Sequence, residues 1–445
     1  MVLIFKNSLR FRHIIFFGIL IRLALMPFFA HPFDMQQWYI YVETILNQEF
    51  SISSLYIFPI WKLLLIPIAY TYNILSNILG ISVISVSSLP LSFDPSYGIN
   101  VVTDPIFNIL VKTPLIIADV LSALLIYKIG FYFTKDYFIS KRSATLYFFS
   151  PIVIWISAAW GQYDSLAVLF MLLTIYLLIV SKRIILSSFS LFTAILIKIY
   201  PIILIFPIVF SLVKFDKKEI RKVIIFLLFL VPLVIYLFVF QKGLSSIIIL
   251  LDSIFVPTNF FFTSGFGLTY WSVSLITPLD LSLSWLIMIL ILLLLSSFSI
   301  YYVVKLAKTR FDMIIVGSFL FIATFFLSLQ FVTEQRSLAL LAILSLVIIR
   351  YPSIRIYYVL LSWIAFLYAQ KNFPFYILPI ASRFPDSFSF LFSFVSPFVN
   401  RSNEFIAPTF ISGLALFIMG TSFSGILVIV TYKILKKNNV FRDRK

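Results

Sequence analysis

Asp34 is the first carboxylate of the chain, and it stands where the first long apolar run ends, in His31-Pro-Phe-Asp-Met-Gln-Gln-Trp-Tyr-Ile-Tyr-Val-Glu43. A carboxylate in that place sits at a lipid–water boundary, within reach of a lipid-linked molecule and of a water-soluble one. Held within hydrogen-bond distance of a hydroxyl group, it can work as a general base. The same residue has a plain structural reading, as the N-cap of a helix over 35–46 with Gln37 at the capping-box position. The two roles are compatible. That helix carries Gln36, Tyr39, Ile40, Glu43 and Asn47 at helical spacing, so it is expected to lie flat with one polar face. Asp94 and Asp104 share the connection that follows and, with Glu43, are the alternative bases.

Two more groups of residues have the right chemistry. Trp160-Gly-Gln-Tyr-Asp-Ser165 falls between two apolar runs. It reads either as an interfacial aromatic anchor with a tight turn or as an aromatic face, an amide and a carboxylate offered to sugar hydroxyls. Lys198, in Lys198-Ile-Tyr-Pro201, and Arg336, in Thr333-Glu-Gln-Arg336, are cations at turns expected on the outer side. They either snorkel to the interface or supply the fixed positive charge that a departing phosphate needs. Asp119 and Arg22 lie inside apolar runs, where a lone charge costs about 2.5–3.5 kcal/mol. The simplest expectation is that they pair and hold their two spans together.

These residues need membrane helices to position them. The chain is 62% hydrophobic and 11% charged, with a mean hydropathy of +1.08, whereas a water-soluble domain carries about 25% charged residues. Apolar runs of about 20 residues recur, the length that crosses the hydrocarbon core as helix. They are too long for barrel strands. The first run contains Arg22 and leads straight into the Asp34 stretch, so it reads as a span rather than a removable leader. The net charge of +17 is not a nucleic-acid signal once it is counted loop by loop. Most basic residues cluster in alternate loops and in the tail 433–445, the pattern that orients a polytopic protein against anionic headgroups. With no cysteine and two histidines, His13 and His31, there is no disulfide framework and no thiolate or histidine metal site.

The loop charges predict about twelve transmembrane helices with both termini cytoplasmic. The connection 31–112 is then outside at both ends, and its apolar stretch 59–80, interrupted by Lys62, Pro67, Asn73 and Asn77, dips into the interface or re-enters without crossing. Such irregular backbone is tolerated against protein or a water-filled cavity. Residues 1–350, with outer loop 31–112, are expected to form a catalytic transmembrane module. Residues 351–445 add helices, an outer loop at 370–407 and the basic tail.

In order and placement, four stretches resemble the GT-C-fold glycosyltransferases, membrane enzymes that take sugars from polyprenyl-phosphate donors. They are Asp34-Met-Gln-Gln-Trp38, Pro114-Leu-Ile-Ile-Ala-Asp119, Trp160-Gly-Gln-Tyr-Asp164 with Lys198-Ile-Tyr-Pro201, and Val332-Thr-Glu-Gln335. The third is similar to the His-Phe-Gln-Tyr-Asn of the asparagine-linked-glycosylation glucosyltransferases. The fourth is similar to the Val-His-Glu-Lys of those enzymes and of the glycosylphosphatidylinositol mannosyltransferase. The resemblance covers about residues 15–350. It implies an all-α polytopic GT-C fold and an inverting hexosyl transfer, of mannose or glucose, to a lipid-linked glycan or other acceptor on the outer face of the membrane. It makes Asp34 the base, with Trp38, Glu43, Asp94, Asp104, Trp160, Gln162, Tyr163, Asp164, Lys198, Tyr200, Glu334, Gln335 and Arg336 binding substrate. Thr333 and Gln335 stand where the relatives have His and Lys, a loss that Arg336 is placed to compensate. No Asp-x-Asp pair occurs, so neither a metal nor another cofactor is expected. The implied partners are the polyprenyl- or dolichyl-phosphate sugar, the acceptor and membrane lipids, with no nucleic acid. An Ile-, Ser- and Tyr-rich chain without cysteine suits a prokaryotic, archaeal-type plasma membrane. The rival readings are a lipid or polysaccharide transporter, which should show inverted repeats or broken midplane helices, and a non-catalytic scaffold subunit.

Overall fold

The structure is a computed structural model, and it describes residues 11–49, 59–80, 102, 104–215, 220–228, 231, 268–275, 281–329, 332–370, 376, 377, 379 and 410–437. Among these residues every regular element is a helix. Among the described residues, five helices are long and apolar enough to cross a membrane: Pro59–Leu79, Pro105–Thr134, Leu286–Leu306, Pro352–Ala369 and Leu414–Lys437. Tyr137–Phe148 and Pro151–Trp160 make a sixth if the bent pair is one span. Length and composition thus make this an all-α membrane protein. Shorter apolar helices, such as Asp164–Ile179 and Ile184–Ile197, are also present.

The chain divides into two compact units that interleave along the sequence. One holds the described parts of Met1–Leu121, Val153–Leu166 and Ala369–Ala407; the other holds those of Ser122–Ile152, Ala167–Tyr368 and Pro408–Lys445.

The first unit contains α1 (Phe11–Leu25), α2 (Pro32–Leu46), α3 (Pro59–Leu79) and the start of α4 (Pro105–Thr134). α2 buries Met35, Trp38, Val42 and Ile45, spaced three, four and three residues apart, and packs this stripe against α3. Gln36, expected on a solvated face, is buried as well. α3 corrects the picture of an irregular dip at 59–80. It is one continuous helix of 21 residues that runs through Pro67 and buries Trp61, Leu65, Ala69 and Tyr72 along one side. Its lysine is accommodated because the Lys62 ammonium lies 5.1 Å from the centre of the Tyr41 ring, a cation–π contact.

The second unit contains α5 (Tyr137–Phe148). The short α6 (Pro151–Ile154) leads out of it into the π-helical turn Trp155–Trp160 of the first unit, after which α7 (Asp164–Ile179) follows. Next come α8 (Ile184–Ile197), α9 (Ile205–Phe215) and α10 (Ile220–Leu228). α11 (Leu281–Tyr301), α12 (Gly317–Ser328), α13 (Ser337–Arg350), α14 (Arg355–Ala369) and α15 (Phe410–Lys437) complete the unit. α13 is its core, with every residue from Ser337 to Ile349 buried. Hydroxyl groups tie neighbouring helices: Ser143 donates to the Ser345 carbonyl, and Ser188 Oγ donates to the Phe226 carbonyl at 2.6 Å. The expected turn between two short helices near Lys198 is present. Lys198 is extended (φ −148°, ψ 144°), and a 3-10 turn, Tyr200–Leu204, carries Pro201 where an α-helix could not run on.

Candidate active site

The site is built in the first unit, on the turn between α1 and α2. The carbonyls of the turn that follows α1 lie outside any helix, and α4 supplies donors for three of them. Lys112 Nζ donates to the Met26 carbonyl at 3.0 Å and also to that of Phe29, while Asn108 Nδ2 donates to the Pro27 carbonyl at 3.1 Å. The next two backbone N–H groups are held from elsewhere: Ala30 donates to Tyr376 O and His31 to Trp160 O, each at 3.1 Å. Lower on the same face of α4, Asp119 accepts from Arg22 Nε at 3.0 Å and from Ser157 Oγ at 2.6 Å, with both charged side chains wholly buried. The expected Arg22–Asp119 pair therefore exists, and it also pins the π-helical turn that ends in Trp160.

Asp34 is not the N-cap of α2. The helix begins at Pro32, where the missing N–H costs nothing, so the cap falls to His31. The His31 Nδ1 accepts from the Asp34 backbone N–H at 3.4 Å. This leaves the Asp34 carboxylate, in the first turn of the helix, for other bonds. Trp160 Nε1 donates to its Oδ2, and His31 Nδ1 lies 3.4 Å from the same oxygen. Its Oδ1 has no partner among the described residues. The His31 ring stacks on Trp160 (4.6 Å between centres, 12° between planes), and Tyr376 meets both rings at 5.4 Å. The carboxylate is thus fixed on one oxygen by an aromatic frame.

Exposure separates Asp34 from the other carboxylates of this unit. Asp104, Asp119 and Asp164 are fully buried and Glu43 and Glu49 are exposed, while the Asp34 side chain is 13% exposed. Asp104, expected to bind substrate, is instead a helix cap with both oxygens engaged: Oδ1 accepts from Ile106 N at 2.7 Å and Oδ2 from the Tyr72 hydroxyl at 2.9 Å. Glu43 takes a hydrogen bond from Tyr39, and burial, followed by this bond, pushes the Tyr39 hydroxyl above its ordinary pKa. Asp94 lies outside the described residues.

Next to this frame, the Tyr163 ring stacks on Trp61 (5.4 Å, 14°), and Trp38 meets the two edge-on at 5.3 and 5.6 Å. Such contacts contribute about 0.5–1.5 kcal/mol each beyond area burial. The buried indole N–H groups of Trp38 and Trp61 have no hydrogen-bond partner among the described residues. Gln162 is nearly buried, its Oε1 accepting from Tyr163 N at 3.2 Å, and Asp164 opens α7. Gly161 is required twice over. Its φ is +88°, and a Cβ there would lie 2.8 Å from Met35 Sδ and 3.2 Å from Lys112 Cε. Gly161→Ala is expected to cost about 1–3 kcal/mol, read as a lower unfolding temperature of the detergent-solubilised protein.

The other expected site residues belong to the second unit. Lys198 ends α8, and Tyr200 is buried in the 3-10 turn after it. Glu334 and Gln335 are buried in a 3-10 turn before α13, and the Arg336 guanidinium lies 5.5 Å from the centre of the Phe325 ring.

Four residues that shape the Asp34 site were not among the expected ones: His31, Asn108, Lys112 and Tyr376. Two signals pointed to some of them. Pro32 marks a first helical position and so makes His31 the cap. Asn108 and Lys112 precede Asp119 by eleven and seven residues, a buried polar stripe at helical spacing. Tyr376 had no such signal. No family model matches the chain, and none of the curated proteins compared with it is similar.

Proposed function

We propose that the chain is a membrane glycosyltransferase of the GT-C type. It would transfer a hexose from a polyprenyl-phosphate donor to a lipid-linked glycan or other hydroxyl acceptor, with Asp34 as the general base. The observation that carries the proposal is the Asp34 carboxylate itself, anchored at Oδ2 by Trp160, open at Oδ1 and only partly exposed. In this reading Oδ1 takes the proton of the acceptor hydroxyl as its oxygen attacks the anomeric carbon. The bond from that carbon to the phosphate oxygen breaks on the opposite face, so the configuration inverts, and the polyprenyl phosphate leaves with the bonding pair. The leaving group is already ionised, so it calls for positive charge rather than an acid. The buried Trp38–Trp61–Tyr163 cluster holds α2, which carries the base, against α3.

The direct test supplies polyprenyl-phosphate mannose and glucose to membranes containing the protein and scores transfer to added or endogenous acceptors. Absence of transfer from both donors counts against the proposal.

Lys198 and Arg336 are proposed, from sequence, to meet the leaving phosphate. Replacing either by Gln is expected to slow transfer about ten- to a hundredfold, the worth of a charge-assisted contact of about 1.5–3 kcal/mol, with normal expression. Unchanged kinetics in both variants return them to interfacial anchoring.

The proposal places the site on the outer face, and the absence of cysteine makes this easy to check. A single cysteine at Gln37 is expected to react with an impermeant maleimide from outside, and one at Lys308 to be protected; both positions are exposed. A cysteine at Asn77 reports on α3: labelling from outside means that the helix returns to the outer face, and protection means that it crosses.

A further inference from the structure

One nitrogen of His31 meets two groups that it cannot serve in the same protonation state. Its Nδ1 lies 3.4 Å from the Asp34 backbone nitrogen and 3.4 Å from Asp34 Oδ2. Accepting from the backbone N–H takes a lone pair on Nδ1. Bonding to the carboxylate takes a proton there, because a carboxylate only accepts. The neutral ring that carries its proton on Nε2 therefore caps α2. A ring protonated on Nδ1 gives up the cap and donates to Oδ2 instead. The ring has little freedom to turn away from this choice. It stacks on Trp160 and meets Tyr376, and its backbone N–H donates to the Trp160 carbonyl. At 17% exposure the side chain is still within reach of water, the source of the proton. Among the described residues, the titratable groups around it are Asp34 of α2 and Tyr376. Lys112 of α4 is spent on the Met26 and Phe29 carbonyls.

We propose that His31 is a positioning residue for Asp34, and that its protonation turns the base off. The inference rests on the reading of Asp34 as the general base. With His31 neutral, the cap holds the first turn of α2, and Oδ1 is free to take the acceptor's proton. With His31 protonated, a cation sits against Oδ2, beside the bond from Trp160 Nε1. A cation that close favours the ionised carboxylate over its protonated form, so proton transfer to Oδ1 becomes uphill. The cap is lost in the same step. Imidazole is the side chain that ordinarily changes charge between about pH 5 and 8. The switch therefore sets the acid limit of transfer there, well above the range of about pH 4 in which carboxylates themselves titrate.

The test has one arm that reads transfer and one that does not. In the first, transfer from polyprenyl-phosphate hexose is measured from about pH 5 to 8 in the parent protein and in His31→Asn. Asn is an excellent cap, so α2 keeps its start. The parent rate is expected to fall about tenfold per unit below a midpoint of about 6.5. His31→Asn is expected to be about fivefold slower at pH 8, for want of the stack on Trp160, but to hold its rate down to about pH 5. The same acid limb in both proteins would overturn the switch. The second arm uses the two-histidine composition. In full-length His13→Gln protein, labelled with nitrogen-15 and purified without a histidine tag, the imidazole signals belong to His31. They should show the Nε2–H tautomer at pH 8 and the imidazolium at low pH. Adding Asp34→Asn should lower that midpoint by about one unit, because the carboxylate that stabilises the cation is gone. An unmoved midpoint, or a neutral form protonated on Nδ1, would overturn the inference whatever the protein transfers. Absence of transfer with a midpoint that does move counts instead against the glycosyltransferase reading, and the switch of its base falls with it.

Discussion

Asp34→Asn is expected to yield a folded, normally inserted protein whose transfer rate falls about a hundred- to ten-thousandfold, the usual contribution of general-base catalysis. The fold should survive for two reasons that the structure supplies. His31, not Asp34, caps α2, so the substitution leaves the start of the helix untouched. An Asn carbonyl oxygen can also keep the hydrogen bond from Trp160 Nε1. What the amide cannot do is take a proton from an acceptor hydroxyl. Asp34→Ala provides the contrast, since it strands the Trp160 donor in a partly buried place and should cost about 1–3 kcal/mol of stability as well. Rates are measured in membranes with polyprenyl-phosphate hexose, alongside the monodisperse yield of each variant. If Asp34→Asn transfers sugar at the rate of the parent protein, Asp34 is not the base. Glu43→Gln is then the next variant, because Glu43 is exposed on the same helix, whereas Asp104 is excluded by its burial and its two engaged oxygens.

The second large effect concerns stability. Arg22 and Asp119 form a wholly buried ion pair, with Ser157 as a further donor to the carboxylate. Removing one partner leaves the other charge buried without compensation, at a cost of about 3–5 kcal/mol. Arg22→Met and Asp119→Leu are each expected to lower the yield of folded protein sharply and to reduce its unfolding temperature. The double variant should recover most of the loss, because two apolar side chains of similar volume can fill the site without a stranded charge. A double variant whose loss equals the sum of the two single losses would mean that the pair is not coupled, and that each residue acts through its other contacts: Arg22 through the Gly18 carbonyl, Asp119 through Ser157.

Sequence alone was enough for those features that follow from local composition. Apolar runs of membrane length become helices because lipid leaves the backbone no other partner, and all the described regular elements are helices. The Arg22–Asp119 pair was legible because two opposite charges inside neighbouring apolar runs have few ways to lower their cost. The turn near Lys198 was legible because Pro201 forbids an uninterrupted helix. Tertiary structure decided the features that depend on which segments meet. The role of Asp34 as N-cap was a reading from one side of the residue, and Pro32 on the other side moves the cap to His31. Asp104 looked like a loop carboxylate, yet it caps α4 and meets Tyr72, 32 residues away. Tyr376 closes the aromatic frame from a part of the chain that carried no motif at all. Helix formation is dictated within a few turns of chain, whereas a tertiary hydrogen-bond partner depends on contacts between residues tens to hundreds of positions apart, which no local pattern encodes.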